Sequence, residues 1–368
     1  MRFNAEYVKL KSVCEIKYGK DHKNLSDGNI PAYGTGGLMR YVDKSIHNKK
    51  SVLIPRKGTL SNLFLVEPPF WTVDTLFWTN IYTDIIIPDF LYYQLCTMEL
   101  ASRNVGTAVP SLTTALLNEL DIMLPSMDIQ NKIVSILSVL DRRIANNNKI
   151  NDNLQLLLFS LYENIALGTS CKKETQLSKL CSFQEGYVNP TQTHPEYFDG
   201  EVKWLRAVDI NESFIIETSR TLTRAGFESA KKSALLFKPN TIAISKSGTI
   251  GRLGIIADYM CGNRAVINIV PNNANNLPFV YCFLKRKQKE FLDMAVGSVQ
   301  KNLYVSILEP LVVCIPDDKT LDKFNAAGIA LLSTIHNNCV ENTKLISLRD
   351  TLLPKLMSGE IDVSAVQL

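Results

Sequence analysis

Residues Asp128–Gly168 read DIQNKIVSILSVLDRRIANNNKINDNLQLLLFSLYENIALG, and their spacing of apolar side chains indicates the architecture of the chain. Its apolar side chains recur at an average spacing of about 3.5 residues, which is the period of a coiled-coil seam. Asp128 can cap the start of a helix and Gly168 is a suitable stop, so we predict a helix of roughly 38 residues, about 55–60 Å long. The predicted seam consists of Ile133, Ile136/Leu137, Leu140, Ile144, Asn147, Ile150, Leu154, Leu157/Leu158, Leu161 and Ile165.

A second segment repeats this pattern before Gly359, which lies at an offset of 191 from Gly168. We expect the two helices to pack antiparallel, because neither can bury its apolar stripe alone, and we expect a kink or stop at Pro354. Asn147 and Asn338 share the same offset. A polar residue within an apolar seam fixes helix register at a cost in stability; the alternative is that both lie on a solvated flank. The second predicted seam consists of Phe324, Ala327, Leu331, Ile335, Asn338, Leu345, Leu348 and Leu352.

The repeat extends outward from the helices into the rest of the chain. Leu10–Cys14 aligns with Leu177–Cys181 at an offset of 167, and Val52–Leu60 aligns with Ile242–Ile250 at an offset of 190. The offset grows only where loops can absorb insertions. We therefore interpret the chain as two copies of one unit, each a globular domain followed by a long helix.

Each globular part contains short β-branched and aromatic runs that predict strands, and apolar segments after Pro88 and Pro278 that predict helices. The strands do not alternate with helices at the spacing of a doubly wound parallel sheet. The predicted fold class is therefore α+β, with two mixed α/β globular domains in a pseudo-twofold arrangement, separated by two long antiparallel coiled-coil helices. The predicted limits are 1–125 and 171–316 for the globular domains, and 126–170 and 317–368 for the helices.

The charge is mildly basic, with 40 Lys+Arg against 36 Asp+Glu and a net charge of +4. Residues 171–316 hold 18 basic and 13 acidic residues (+5), whereas residues 1–125 hold 13 and 12 (+1). This distribution fits either a phosphate-binding surface or ordinary surface charge. If the surface binds phosphate, we expect the second domain to bind it more strongly than the first.

The eight cysteines include no Cys-x-x-Cys pair and the four histidines are scattered, so neither a zinc site nor a disulfide framework is predicted. Cys314 lies in the apolar run Leu311–Ile315 and is interpreted as a small buried hydrophobe. We expect a reducing, cytoplasmic location. Met1–Glu6 does not have the pattern of a signal peptide, and no apolar run approaches the ~20 residues of a membrane helix.

Several of these motifs resemble those of a known family. Pro125–Ile133, followed by Leu140–Ile144, resembles the central conserved region of the specificity subunits of type I restriction-modification systems. Arg349–Ile361 resembles the C-terminal ending of that family. The first globular part is similar to one sequence class of target recognition domain, through Ile30–Gly37, Leu53–Thr59 and Pro69–Thr75.

The resemblance implies two target recognition domains, each reading one half of an asymmetric, bipartite site on double-stranded DNA. It implies that the helices set the half-site spacing and dock two modification subunits. The chain itself would have no catalytic residue, cofactor or metal. S-adenosylmethionine would belong to the modification subunits, which methylate adenine, and ATP and Mg to the restriction subunits, which translocate and cleave DNA. Physically, two readers on a rigid spacer should bind half-sites about 10 bp apart.

Both globular domains contain a Gly-Thr turn after a predicted strand. There a cation can meet phosphate and a hydroxyl can bond phosphate or base, although a plain β-turn is the alternative. The basic run Lys285–Lys289 either contacts phosphate nonspecifically or is only solvated. The candidate DNA contacts are Tyr33, Thr35, Arg40, Arg56, Lys57 and Thr59 in the first domain, and Trp204, Arg206, Lys246, Ser247, Thr249, Arg252, Lys285, Arg286 and Lys287 in the second.

Two other functions compete with this interpretation. Glu67–Phe70 is similar to the Asp/Asn-Pro-Pro-aromatic loop of adenine methyltransferases, but Glu67 replaces the residue that would hold the target amino group. Because no glycine-rich cofactor loop follows a strand upstream, a stand-alone methyltransferase is disfavoured. The other alternative is a coiled-coil scaffold with no DNA role, which would show no salt-sensitive DNA affinity.

Overall fold

The computed structural model describes residues 4–103, 110–168, 171–297, 301–364 and 366. The chain divides into two compact units: unit 1 contains residues 1–142 and 345–368, and unit 2 contains residues 143–344. The division passes through both long helices, so each unit contains a globular part and a stretch of each helix. The predicted domain limit at 170/171 falls beside residues 169–170, which lie outside the described residues.

Unit 1 is built on an antiparallel sheet whose central strand is buried at every position. Its elements are β1 (Ala5–Lys9), β2 (Cys14–Tyr18), β3 (Asp27–Gly34), β4 (Gly37–Val42), β5 (Ser51–Pro55), β6 (Phe64–Val66), β7 (Trp71–Thr72), β8 (Leu76–Ile81), α1 (Pro88–Cys96), α2 (Thr114–Asn118) and β9 (Asp121–Pro125). The main sheet has the order β2-β8-β5-β6, and β4-β3-β7 forms a second sheet. The first strand, β1, pairs antiparallel with β9, the strand that leads into the first long helix.

The first long helix, α3, runs from Met127 to Gly168. It starts one residue before the predicted cap, because the backbone N–H of Gln130 already donates to the carbonyl of Ser126. Asp128 therefore lies within the first turn, where its carboxylate pairs with Lys132 at 3.2 Å. An acidic side chain in this position interacts favourably with the helix dipole, so Asp128 supports the helix start without capping it.

Unit 2 repeats the topology of unit 1. Its elements, with the second long helix last, are β10 (Lys173–Gln176), α4 (Leu177–Leu180), β11 (Cys181–Glu185), β12 (Phe198–Leu205), β13 (Phe214–Ile215), β14 (Thr221–Leu222), α5 (Arg224–Glu228), β15 (Leu236–Phe237), β16 (Ile242–Ser245), β17 (Leu253–Ile256), β18 (Met260–Gly262), β19 (Val266–Pro271), α6 (Leu277–Lys287), α7 (Phe291–Met294), α8 (Val305–Leu308), β20 (Val312–Ile315) and α9 (Asp318–Met357). The sheet order β11-β19-β16-β17-β13 matches β2-β8-β5-β6 strand for strand, with β13 added at one edge.

Each long helix contributes side chains to the cores of both units. In unit 1, Ile133 and Leu137 of α3 and Leu356 of α9 are fully buried with the strands of the main sheet. In unit 2, Leu158 of α3 and Ile335 of α9 join the core formed by β16, β17 and β19. A buried aliphatic side chain contributes about 1.5–3 kcal/mol, so the helices are anchored to the globular parts as well as to each other.

Within unit 2, the hydrogen-bond partners run in opposite directions along α3 and α9. Asn147 bonds Asn342, whereas Asn151, further along α3, bonds Asn338, which is earlier in α9. Asn147 is buried at 1% exposure and Asn338 is half-buried.

The second seam differs from its prediction at two positions. Ala327 and Leu348 are exposed, and Gly328, which follows Ala327, is buried instead. The cause is that α9 also packs on the globular parts, which rotates its buried face away from a strict seam. The helix continues through Pro354 and ends three residues later, at Met357.

One disulfide corrects the expectation drawn from cysteine spacing. Cys171 is bonded to Cys314, with their Cα atoms 5.4 Å apart. The antiparallel pairing of β10 and β20 sets Glu174 opposite Cys314, and the backbone N–H of Lys172 donates to Ile315, so the two cysteines meet. Cys314 is exposed. The interpretation of this residue as a buried hydrophobe is therefore wrong.

Among the helices formed by the described residues, none combines the length and apolarity needed to cross a bilayer.

Candidate nucleic-acid interface

One end of the main sheet of unit 1 collects three chain segments. The register pairs Tyr18 with Phe77 and Pro55 with Leu76, so the ends of β2 and β5 meet the start of β8. Gly19 then donates its N–H to the carbonyl of Leu76. We call this end the turn edge of unit 1 (residues 18–20, 56–59 and 73–75).

Unit 2 has an equivalent turn edge (residues 185–187, 246–249 and 263–265). The N–H of Gly186 donates to the carbonyl of Val266, as Gly19 does to Leu76. The N–H of Lys246 donates to the carbonyl of Ala265, as Arg56 does to Thr75 in unit 1. These two backbone hydrogen bonds therefore recur at both edges, while most of the side chains that the edges carry differ.

In unit 1, the predicted Gly-Thr turn carries an arginine, a lysine and a threonine hydroxyl. Arg56 donates from Nη1 to the carbonyl of Asp74 at 3.0 Å, and its guanidinium carbon lies 5.3 Å from the ring centroid of Tyr18. Lys57 and Thr59 are exposed. Gly58 has a φ of +88°, a conformation that favours glycine, so the residue type at the turn follows from its backbone.

The β3–β4 hairpin adds Thr35 to this edge, because a Cβ on Gly58 would lie 3.7 Å from the Thr35 hydroxyl oxygen. The side-chain amide of Asn62 also donates to the Thr35 carbonyl, at 3.0 Å. Tyr33 is half-buried and packs near Phe64, and burial raises the pKa of its hydroxyl. Arg40 donates from Nη2 to the carbonyl of Leu25 at 2.5 Å, so its guanidinium already binds the protein backbone.

In unit 2, the equivalent turn is more enclosed. Lys246 Nζ lies 2.6 Å from Glu185 Oε1 and 4.9 Å from the ring centroid of Tyr304. Burial alone would raise the pKa of Glu185, but hydrogen bonds from Lys246 and Tyr187 outweigh it and hold that pKa below its ordinary value. The pair is therefore charged and internally compensated.

The remaining turn residues of unit 2 differ in their exposure. Gly248 has a φ of +76°, like its counterpart in unit 1. Ser247 and Thr249 are half-buried, and the Thr249 carbonyl accepts a bond from the Ser245 hydroxyl. Arg252 is exposed at the end of the loop.

Two predicted contacts in β12 and after it are engaged within the protein. Trp204 is 5% exposed and its indole N–H donates to the carbonyl of Val188 at 2.7 Å. Trp204 is therefore a core residue, and the expectation that it contacts DNA is wrong. Arg206 lies over the Trp204 ring and donates to the hydroxyl of Ser219 at 2.5 Å, while Asp209 lies 3.8 Å from its Nε.

The basic run on α6 is neutralised by acids from elsewhere in unit 2. Lys285 pairs with Glu212, Arg286 lies 3.5 Å from Glu163, and Lys287 lies 2.9 Å from Glu290. Lys203, on β12, contacts two carboxylates in the same way. Lys203, Lys285, Arg286 and Lys287 therefore already have carboxylate partners within unit 2.

Sequence reasoning missed the residues that flank two glycines of the turn edges. A Cβ on Gly19 would lie 2.0 Å from a backbone oxygen of Val73, and one on Gly186 would lie 2.2 Å from that of Asn263, so only glycine fits. These glycines place four exposed side chains at the edges: Tyr18, Lys20, Tyr187 and Arg264. The signal was present in the sequence, because Gly19 and Gly186 align at the offset of 167.

The methyltransferase-like segment has a structural role in unit 1. Glu67 lies 2.8 Å from Lys50, and Phe70 is completely buried. Among the described residues, no three His, Cys, Asp or Glu side chains gather as metal ligands would.

Two units of matching topology, each with a turn edge and a share of two long helices, define a two-domain α+β protein. The sequence matches the model of the type I restriction modification DNA specificity domain twice, over residues 4–156 and 172–346. The chain belongs to this family, whose members are the DNA-binding, noncatalytic specificity components of type I restriction-modification complexes.

Relatives and a solved structure agree with this assignment. The MjaIX specificity subunit of Methanocaldococcus jannaschii is 25% identical over 349 residues, which cover 86% of this chain and 79% of the relative. The HindI specificity subunit of Haemophilus influenzae is 21% identical, covering 76% and 78%. The crystal structure of a type I S subunit from M. genitalium superposes with a TM-score of 0.59 at 20% identity and 96% coverage of both chains, which supports the fold.

Proposed function

We propose that this chain gives a type I restriction-modification complex its DNA sequence specificity by reading two different half-sites. Residues 1–125 and 171–316 act as the two target recognition domains, each with its turn edge against one half of the target. Residues 126–170 and 317–368 act as antiparallel spacer helices. In this arrangement the two domains are related by a pseudo-twofold axis.

The observation that carries the proposal is the pair of matching backbone frames with differing side chains. Two equivalent backbone hydrogen bonds hold both turn edges, yet Tyr18 and Arg56 of unit 1 are replaced by Glu185 and Lys246 in unit 2. A shared frame positions each half equally on the duplex, while different side chains contact different bases. The expected target is therefore interrupted and asymmetric.

The helices supply the spacing and the partner surface. Asn147 and Asn338 fix their register, and the helix lengths set the distance between half-sites. Two modification subunits dock on the helices and bring S-adenosylmethionine to a target adenine. Restriction subunits add ATP- and Mg-dependent translocation and cleavage. The complex acts in the cytoplasm, where the host chromosome is available for methylation.

Methylome sequencing tests the proposal. A methylation-free host should carry the modification gene either with or without the gene for this chain. We expect adenine methylation at one interrupted, asymmetric motif only when both genes are present. Identical methylomes in the two strains would contradict the proposal.

A binding measurement separates this function from its alternatives. The isolated chain should show no affinity for S-adenosylmethionine in calorimetry, whereas a stand-alone methyltransferase would bind it. The assembled complex should bind DNA with an affinity that falls steeply with salt. Salt-independent or absent DNA binding would favour the scaffold instead.

A further inference from the structure

One pair of side chains occupies equivalent positions in the two turn edges but carries a net positive charge in unit 1 and no net charge in unit 2. Arg56 corresponds to Lys246 at the offset of 190, and Tyr18 corresponds to Glu185 at the offset of 167. In unit 1 the cation lies over an uncharged ring, so its charge remains available. In unit 2 the cation is paired with a carboxylate at 2.6 Å, so the pair has no net charge.

The contacts of Glu185 show that its carboxylate is held in place. Its Oε1 accepts from Lys246, and its Oε2 accepts from the hydroxyl of Tyr187 at 2.5 Å. The side chains of Glu185 and Lys246 are 25% and 17% exposed. A carboxylate oriented by two donors and still open to solvent can act on whatever approaches the edge.

We propose that Glu185 is a specificity-determining residue, which positions Lys246 and lowers the nonspecific affinity of unit 2 for DNA phosphate. This inference rests on the proposed DNA-reading function. A phosphate that approached Lys246 would have to displace Glu185 or lie beside its negative charge, and both cost free energy. Discrimination gained by weakening the wrong complexes is a general route to specificity. Phosphate contacts of unit 2 then pass to the exposed Arg252 and Arg264.

Variants that change the net charge of the Glu185–Lys246 pair test the inference. The probe is a fluorescein-labelled 30-bp duplex of random sequence, titrated with the full chain in complex with its modification subunits and followed by anisotropy between 50 and 200 mM salt. Each phosphate neutralised on B-DNA contributes about −0.9 to the slope of log K against log salt. A Glu185→Gln variant should bind the probe more tightly than wild type, with a slope steeper by about 0.9. Its advantage should shrink about 3.5-fold over this salt range.

Two partner variants make the result specific to the pair. Lys246→Met leaves the carboxylate uncompensated, so it should weaken binding and flatten the slope. The double variant Glu185→Gln/Lys246→Met restores zero net charge and should return the slope to the wild-type value. A merely structural role for Glu185 would lower the melting temperature without producing this ordered series of slopes.

Glu309→Gln is the matched control. Glu309 is exposed, and its carbonyl accepts from the N–H of Ser178, which precedes β11 at the end opposite Glu185. This variant makes the same change in net charge away from the turn edge, and its slope should stay at the wild-type value. A Glu185→Gln slope equal to that of Glu309→Gln would overturn the inference. If wild type itself shows no salt-dependent binding, the proposed function fails first.

Methylation in the host provides the specificity readout. With Glu185→Gln, we expect a larger share of methylated adenines outside the wild-type motif than with wild type or Glu309→Gln. An unchanged share would contradict a role in specificity, even if the affinity for the random duplex had risen.

Discussion

The side-chain amide of Asn147 donates to Oδ1 of Asn342 at 2.9 Å, and Asn338 donates to Oδ1 of Asn151 at 2.8 Å. The second pair is the repeat image of the first, because 147 and 338, like 151 and 342, differ by 191. Asn147 and Asn342 are 1% and 8% exposed. Buried amides that bond each other favour one register of the two helices over its neighbours.

Truncating one member of this pair should destabilise the protein. Asn342→Ala leaves the amides of Asn147 and Asn148 without a partner that each now has, so we expect the free energy of unfolding in urea to fall by about 1–3 kcal/mol. The matched control is Asn146→Ala, an exposed neighbour, which should change it by less than about 0.5 kcal/mol. Equal effects of the two substitutions would show that the amide pair contributes nothing.

Lengthening both helices should change the DNA spacer alone. We would insert four residues after Ile144 in α3 and four after Lys344 in α9, which lie at facing positions by the Asn147–Asn342 pairing and beside the division between the two units. Four helical residues add about 6 Å, close to two base pairs at about 3.4 Å each. The methylated motif should keep both half-sites and gain about two base pairs between them. A changed half-site with an unchanged spacer would refute the ruler.

Removing one member of the Arg349–Asp141–Tyr93 network in unit 1 should destabilise the protein more than removing all three polar groups together. Arg349 lies 2.9 Å from Asp141, whose other oxygen accepts from the Tyr93 hydroxyl at 2.6 Å. The repeat-related positions in unit 2, Leu332 and Leu158, are buried leucines. Arg349→Leu should cost about 1–2 kcal/mol, because the pair is partly exposed and leaves a carboxylate uncompensated.

The triple variant Asp141→Leu/Arg349→Leu/Tyr93→Phe removes all three polar groups together. It should unfold at a higher urea concentration than Arg349→Leu alone, since the more buried carboxylate, Asp141, is removed together with its cation. Asp350, which also contacts Arg349, is exposed and remains solvated. A triple variant less stable than the single one would mean that the network is a net source of stability.

Acidification should weaken unit 1 through His47. Its ring lies 4.5 Å from that of Trp78, and burial, with a smaller effect of Lys49, lowers the pKa of the imidazole below its ordinary value of 6.5. A lowered pKa means that the folded state binds the proton less tightly than the unfolded state. The stabilisation is therefore complete above pH 6.5 and is lost as the pH falls through the folded pKa.

We expect His47→Phe to reduce the loss of thermal stability between about pH 7.5 and 5.5, measured by tryptophan fluorescence. His194→Gln, at an exposed site in unit 2, serves as the control and should keep the wild-type pH profile. The prediction fails if His47→Phe and wild type lose stability in parallel.

Arg56 should contribute one phosphate or base contact. Because its guanidinium is not paired with a carboxylate at the turn edge, Arg56→Gln should flatten the salt dependence of DNA binding by about 0.9 in slope. Lys179→Gln is the control, since Lys179 is exposed and precedes β11 at the end away from Glu185. Equal slopes for Arg56→Gln and Lys179→Gln would remove Arg56 from the interface.

Local patterns in the sequence predicted the elements closely. The helices predicted after Pro88 and Pro278 are α1 and α6, and the helix predicted from Asp128 begins at Met127. Periodicity, turn residues and the repeated Gly-Thr motif are properties of neighbouring residues, and the physics that selects helix, strand or turn acts over the same short range.

Other features depended on residues far apart in the chain. Lys285 is neutralised by Glu212, 73 positions away, and the disulfide joins cysteines 143 positions apart. Trp204 has an amphipathic side chain of the kind expected at a DNA-binding surface, yet the fold buries it. No local pattern distinguishes a free cation from a paired one, because pairing is decided by which strands and helices come together.

The duplication, the two long helices, the turns at the strand ends and the membership of a DNA-specificity family could all be predicted from residue patterns along the chain. Each of these features follows from the spacing of residues along the chain, and folding does not change that spacing. Which cations are free to bind phosphate became visible only in the folded protein, where Arg56 lies over the uncharged ring of Tyr18 and Lys246 is neutralised by Glu185. The physical reason is that electrostatic interactions depend on distance in space, and residues 61 positions apart become neighbours only when β11 and β16 join β19 in one sheet.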